Sequence, residues 1–454
     1  MSFTPRALSS ATLALGLSAG LPALAWAQSD VDAHADAPQA WNLHWQTTLI
    51  AQTKASMHAA YSGEHSLLTQ AEHSRSWTAT AALGLRLGAR TEAYLDPEIA
   101  AGVPISGLQG LAGFTNGEMA RSSGADPKLY RARAFVRHVV DLSDETEAVA
   151  PGFNQLGGTY GSRRLVLTAG NLSVTDIFDA NAYAHDPRTQ FLNWTVMSQG
   201  AFDFAADARG YTWGAAAELI DGDWSLRAGR FLLPKLPNQQ QLDKQLGQHH
   251  GDQIELEHCH SLGEERGGAV RVLAFRDRAV MGRYADALDL AAATQSTPSL
   301  DLVRRSAQLK YGLGASFDQQ VAADVGVFGR AMWADGRTET YAFTEVDRSV
   351  SGGASVKGGP WSRPQDVVGL ALAVNGLSGV HRQYLSDGGT AFFLGDGRLH
   401  YRHERVLEAY YALSLGPWVK GSTVSIDHQQ IAHPGYNADR GPASFWALRF
   451  HTEL

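Results

Sequence analysis

Between Val325 and Val356 the sequence reads V-G-V-F-G-R-A-M-W-A-D-G-R-T-E-T-Y-A-F-T-E-V-D-R-S-V-S-G-G-A-S-V, and no other stretch so narrows the folds open to the chain. Two extended runs flank Asp335-Gly336, a dipeptide suited to a tight hairpin because both positions tolerate positive φ. In the second run Thr338, Thr340, Ala342, Thr344 and Val346 share one face, and Glu339, Tyr341, Phe343, Glu345 and Asp347 share the other. Three carboxylates on one strand face cannot enter a dry core unpaired, because burying a bare charge is costly. Against water inside a closed barrel they carry no such penalty. Small or apolar groups outside and polar groups inside is the pattern of a transmembrane β-strand. A single hairpin of an ordinary half-solvated sheet looks the same, so the rest of the chain decides.

The first 27 residues read as an address. Arg6 supplies a positive start, Leu8 to Leu24 is apolar but broken by Gly16, Gly20 and Pro22, and Ala25-Trp26-Ala27 is a small-residue cleavage site. A membrane anchor would need a longer, less interrupted run. Residues 1–27 are therefore expected to be a signal peptide, with a mature start at Gln28 outside the cytoplasm. Residues 28–40 form a short polar leader, expected to be mobile. No later segment holds 18 consecutive apolar residues, so no helix is expected to span a membrane. Yet the chain is 44% hydrophobic, with 11 Trp and 14 Tyr, and its single Cys259 excludes an internal disulfide. A chain of this length usually divides into globular domains, but no linker or composition shift divides it. One closed β structure over residues 41–454 accounts for this better.

Alternation recurs along the chain. Trp41, Leu43, Trp45, Thr47 and Leu49 alternate with Asn42, His44, Gln46 and Thr48. Trp77 to Leu87 and Arg164 to Ala169 repeat the device. Less regular versions cover Tyr211 to Leu219, Ser225 to Phe231, Gln253 to Cys259, Ala269 to Phe275 and Ala307 to Leu313. Val367 to Val374, Val406 to Leu415 and Thr423 to Gln429 follow. The terminal run, with Trp446, Leu448, Phe450 and Leu454 on one parity, suits a last barrel strand. Helical period is absent over comparable lengths. Forty-seven glycines suit lumen positions and bulges. Asp96 to Lys128 and Asp176 to Asp207 resist reading as strands, and loops that long are usually functional or disordered.

At the second of these segments a resemblance becomes specific. D-I-F-D-A-N-A-Y-A-H-D-P-R-T-Q-F-L-N-W and A-D-A-R-G-Y-T-W-G resemble the carbohydrate-selective porins of Gram-negative outer membranes, the OprB type. The likeness continues through W-S-L-R-A-G-R-F at Trp224 to Phe231, W-A-D-G-R-T-E-T-Y-A-F-T-E-V-D-R-S at Trp333 to Ser349 and N-G-L-S-G-V-H-R-Q-Y-L at Asn375 to Leu385. G-D-G-R-L-H-Y, E-A-Y-Y and Y-N-A-D-R-G-P carry it to Pro442. The resemblance implies an all-β fold: a transmembrane antiparallel β-barrel of about 16 strands with long inward-folding loops. It also implies passive diffusion of mono- or oligosaccharides across the outer membrane.

A sugar channel needs hydroxyl partners and flat apolar faces, which Arg, carboxylates, Trp and Tyr supply. Arg131, Arg133 and Arg137 share parity and form a basic stripe that cannot face lipid cheaply. Neutralising barrel carboxylates is the plainer role for them. Arg86, Glu92 and Glu98 are candidates of the same kind, as are Tyr183, Asn193, Trp194, Asp203, Asp207, Arg209, Trp213 and Arg230. Interface girdles and loop cores also use such aromatics. Asp335, Arg337, Glu339, Glu345 and Asp347 are expected to line the lumen.

No cofactor is called for. In H-C-H, strand parity points Cys259 away from His258 and His260, so the three cannot converge on a metal. No nucleophile motif, phosphate loop or nucleic-acid signature is present. A formal charge of −8 disfavours polyanion partners; sugars and outer-membrane lipid are the expected ones. A barrel that exports or binds polysaccharide, and a rim hydrolase, stay open as alternatives.

Overall fold

A computed structural model describes residues 38–454 except 123, 264–265 and 417, so the expected signal peptide and most of the expected leader lie outside the described residues. From the start the chain forms β1 (Trp41–Lys54), β2 (Glu72–Gly88), β3 (Thr91–Val103) and β4 (Gly124–Asp141). A separate small hairpin, β5 (Thr146–Val149) and β6 (Gly158–Gly161), follows. The barrel resumes with β7 (Arg163–Leu172), β8 (Thr212–Asp221), β9 (Trp224–Phe231), β10 (His250–Ser261), β11 (Gly267–Val280) and β12 (Ala307–Ala322). It ends with β13 (Val325–Ala334), β14 (Arg348–Gly358), β15 (Arg363–Gly376), β16 (Glu404–Ser414), β17 (Ser422–Ala432) and β18 (Ala443–Glu453). All but β5 and β6 close into one 16-stranded antiparallel barrel. The seam is β1 against β18, from Gln46 opposite Glu453 to Lys54 opposite Phe445.

The alternation explains the wall. On β1 the side chains of Gln46, Thr48, Gln52 and Lys54 are buried inside, while Trp41, Leu43, Trp45 and Leu49 stand exposed outside. The same exposure of Leu370, Leu372, Trp446 and Leu448 makes an apolar outer belt, the surface a bilayer covers. Turns at the end carrying Trp41 and Leu454 are short, as at residues 222–223 and 323–324. Long connections crowd the other end. One exception sits at the short-turn end: residues 142–162 carry the β5–β6 hairpin and send Leu156 fully buried into the barrel.

Two expectations are corrected. Thr338 to Asp347 is not a strand. The chain leaves the sheet at Asp335-Gly336, Gly336 at φ 60°, and rejoins it where Arg348 pairs with Trp333. Between them both parities are buried, because the segment drops into the barrel mouth and touches other loops on all sides. The expected loop Asp96 to Lys128 is shorter than its composition suggests. Asp96 to Val103 completes β3, Gly124 to Lys128 opens β4, and the loop proper is 104–123. Bulges at Asp96/Pro97 and Ala100/Gly102 scramble the period-2 signal there. The long connections also hold short helices: α1 (Trp194–Met197), α2 (Tyr284–Thr294) and α3 (Gly379–Ser386). The Ala- and Leu-rich stretch of α2 favours helix by propensity, and Tyr284 stacks on His381 of α3 at 4.2 Å.

Candidate functional site

The connection 173–211 folds into the lumen, and its backbone polar groups must find partners there. Side chains of six strands hold the segment, four of them at its backbone. Glu255 of β10 accepts from Asp179 N at 2.9 Å, and Arg330 of β13 donates to Asp179 Oδ1 at 3.2 Å and to the Val196 carbonyl at 3.0 Å. Glu408 of β16 accepts from Leu192 N at 2.5 Å and Asn193 N at 3.1 Å, while Gln429 of β17 takes the Asn193 amide at 3.0 Å. Arg449 of β18 holds the carbonyls of Pro187 and Gln190, both at 2.7 Å. Lys310 of β12 pairs with Asp203 at 2.9 Å. The apolar side of the segment closes a core with three other connections. Trp194 lies 4.6 Å from Phe343 and 5.8 Å from Phe114, and Phe114 lies 5.1 Å from Phe393.

Beside this core runs a column of charge on β3 and β4. At the top Glu98 accepts from Thr80 at 2.5 Å, Arg188 at 3.0 Å and the Tyr130 hydroxyl. Arg188 also reaches Glu118 at 2.8 Å, and Arg121 reaches Glu118 at 3.2 Å. Burial works against the Glu118 carboxylate, yet these two guanidinium groups hold it down to about 2. One step lower Arg133 grips Asp176 through two bonds, at 2.7 and 2.6 Å, and touches Asp96 at 3.3 Å. Burial opposes the Asp176 charge, but Arg133 keeps it below the usual carboxylate range. The lowest station is Glu92 with Arg86 at 3.1 Å, Arg137 at 3.9 Å and the Tyr94 hydroxyl at 2.5 Å. From the short-turn end Asn154 reaches up to Asp96 at 2.8 Å, and Arg137 donates to the Asn154 carbonyl at 3.0 Å.

Exposure inside a barrel marks the water path. The Asp176 side chain keeps 31% of its surface, Arg137 21% and Arg133 10%, although the barrel encloses all three. Arg133 has committed three donor positions and retains one further N–H on each terminal nitrogen. Those two donors stand beside the Asp176 carboxylate, and Arg133 sits over the buried ring of Tyr211 at 5.3 Å.

The expected lining residues divide. Arg86, Glu92, Glu98, Arg133 and Arg137 come together on this column. Arg131 does not. The bulge opposite Pro97 makes Ala132 an extra residue, so Arg133 pairs with Asp96 and Arg131 with Pro97. Arg131 therefore points outward and lies over Trp213, itself 42% exposed, at 5.0 Å. Arg230 is also outside, paired with Asp252 at 2.6 Å. Asn193, Trp194 and Asp203 are buried in the loop core rather than lining the lumen. Tyr183 faces inward over the bare backbone of Gly326, where a Cβ would sit 2.0 Å from its ring. Asp207 caps its own turn by accepting from Arg209 N at 2.9 Å. Arg337 is exposed among the long connections, and Asp335 beside it is buried. Glu339, Glu345 and Asp347 are tethers instead of lining. Glu339 holds Arg304 at 2.5 Å, Glu345 accepts from Phe392 N at 3.0 Å, and Asp347 holds His381 at 3.0 Å. Arg188, Glu118, Arg121, Asp176 and Asn154 escaped the sequence reading.

Glu345 carries a pH dependence. Burial pushes its carboxyl up to about 8 despite backbone donors from Phe393 and Phe392. The folded state thus prefers the protonated form, so the stabilisation is full below the ordinary value of 4.5 and is lost as pH rises toward about 8. Amide-exchange protection at Phe392 and Phe393 is expected to fall across that window, and Glu345→Gln to flatten the fall. A pH-independent wild-type profile would contradict the assignment.

Residues 155–454 match the sequence profile of the carbohydrate-selective porin, OprB family. The barrel resembles the high-pH structure of Pseudomonas putida OprB with a TM-score of 0.69 at 15% identity, covering 91% of this chain and 94% of that one. It also resembles the outer membrane channel DcaP of Acinetobacter baumannii, with a TM-score of 0.50 at 9% identity over 91% of this chain and 97% of that one. At these identities the likeness speaks for the fold. No curated protein matches the sequence.

Proposed function

Because the chain belongs to the carbohydrate-selective porin family of OprB type, an outer-membrane family of passive sugar channels, we propose that mono- or oligosaccharides cross this barrel past the Arg133–Asp176 station. The reading rests on one observation above others: a paired guanidinium and carboxylate inside the barrel keep 10% and 31% of their side-chain surface exposed. Such a pair offers donors and acceptors side by side, which suits vicinal hydroxyls. Selectivity then follows from pore width and lining chemistry, with no energy input. Residues 41–454 are read as the barrel domain, and residues 1–27 as a signal peptide removed on export.

Liposome swelling with a series of sugars and size-matched zwitterionic amino acids tests this. Sugars are expected to enter faster than amino acids of equal size. Entry ordered by size alone across both series would leave a general pore and remove the sugar preference.

A further inference from the structure

The barrel wall is incomplete at one place. Above Ala134, β4 keeps its partner β3 but has none on the other edge, because β7 ends at Leu172 and the chain turns inward. The Asn171 amide closes the lower corner by donating to the Ala132 carbonyl at 2.6 Å. Above it a cavity of about 680 Å³ lies between the free edge of β4, the start of β8 and the connection 232–249. Tyr130 and Tyr211 border it from the lumen side, Arg131 and Trp213 from the outer face.

Its lining is cationic. Arg131, Arg209, Lys235 and Lys244 face Asp207 and Asp243. Both carboxylates are already used: Asp207 takes the Arg209 and Tyr211 backbone N–H groups, and Asp243 takes His249 at 2.6 Å. Among the described residues Arg131, Lys235 and Lys244 form no ion pair. Arg131 and Arg209 sit over the rings of Trp213 and Tyr130, at 5.0 and 4.1 Å. Beside the notch Leu129 is 72% exposed and Trp213 42%. The notch sits toward the long-connection end of the wall, where an apolar belt gives way to polar chain.

We propose that this notch binds the phosphate-bearing headgroup of a lipid in the outer leaflet, approached from the bilayer and not from the channel. Arg131, Lys235 and Lys244, beside the exposed side chains of Leu129 and Trp213, match a lipid whose anionic head and acyl chains must be held together. A free sugar supplies no charge for those cations, and a soluble anion has no use for Leu129 and Trp213.

The test uses the full chain in detergent micelles, native mass spectrometry, diphosphorylated lipid A and its dephosphorylated form. The phosphorylated lipid is expected to stay bound, and Arg131→Gln with Lys235→Gln to weaken it by roughly ten- to thirtyfold. Lys235→Gln alone, in a connection outside the wall, covers the case in which the double variant does not fold. Heat-modifiable gel mobility reports the fold of each. Equal retention of the dephosphorylated lipid, or unchanged affinity in folded variants, overturns the proposal. So does displacement by millimolar inorganic phosphate, which would make the site a free-anion site.

Discussion

Arg330→Met is expected to give a channel whose conductance is higher and visibly noisier than that of the wild type, in a barrel that still folds. Arg330 is 3% exposed and is the wall's clamp on the inserted segment, holding both the Asp179 side chain and the Val196 carbonyl. Methionine keeps the bulk and removes every donor. Asp179 then retains the backbone donor of Gln199 at 2.8 Å, but its charge has lost its partner. Breaking one side of a buried ion pair costs about 3–5 kcal/mol, because the other charge is left uncompensated. Spread over an equilibrium between docked and undocked segment, that is roughly two to three and a half decades in the ratio. The five other anchoring strands keep the docked form from vanishing, so fluctuation is expected rather than a permanently wide pore. Single-channel recording in planar bilayers measures it. Asp179→Asn combined with Arg330→Met should recover much of the quiet behaviour, since the stranded charge is gone. Wild-type conductance and noise in Arg330→Met would mean that Arg330 does not hold the segment.

Arg133→Ala is expected to shift ion preference toward cations and to lower sugar flux relative to small-ion conductance. The substitution strips Asp176 of two hydrogen bonds and the fully buried Asp96 of one, leaving the partly exposed Asp176 carboxylate without its guanidinium partner. A unit charge acting on a monovalent ion at about 4 Å in water-like dielectric is worth about 1 kcal/mol. It acts with opposite sign on cations and anions, so their permeability ratio should move by about 2 kcal/mol, roughly thirtyfold. Arg133→Lys separates charge from shape. It should keep the ion preference while losing part of the sugar preference, because an ammonium cannot span both Asp176 oxygens in plane. The reversal potential in a salt gradient and the swelling rate with glucose report the two effects separately. If Arg133→Ala left both unchanged, the pair would serve the wall and not the solute.

Much of the wall is readable in the sequence because a membrane barrel forces polar and apolar groups onto opposite faces, residue by residue. Trp41 to Leu49 and Trp77 to Leu87 show it plainly. The rule fails where the period slips. Arg131 and Arg133 share parity in the sequence but lie on opposite faces, since Ala132 is an inserted residue. One signal for that existed: Pro97 cannot donate to a sheet ladder, and a proline inside a strand marks an edge or a bulge. Thr338 to Asp347 fails for another reason. Alternation there is accidental, and burial on every side of the segment comes from contacts with distant loops. The charged column was half visible. Glu92, Glu98, Arg133 and Arg137 stand on strands, where parity places them. Arg188 and Glu118 stand on connections and meet only across 70 residues of chain, which no local pattern encodes.

The anchors of the inserted segment are also ordered along the chain, and that order governs assembly. Glu408 meets Leu192 across 216 residues, and Arg449 meets Pro187 across 262. These partners belong to the last strands synthesised, the ones that complete the seam with β1. Until β16 to β18 arrive, the segment has only part of its docking surface. Contacts so far apart in sequence form late and slowly. Docking of the inserted segment is thus a product of ring closure, and an unclosed barrel in transit would carry that segment undocked, exposed to proteases at the stage when quality control can still act on it.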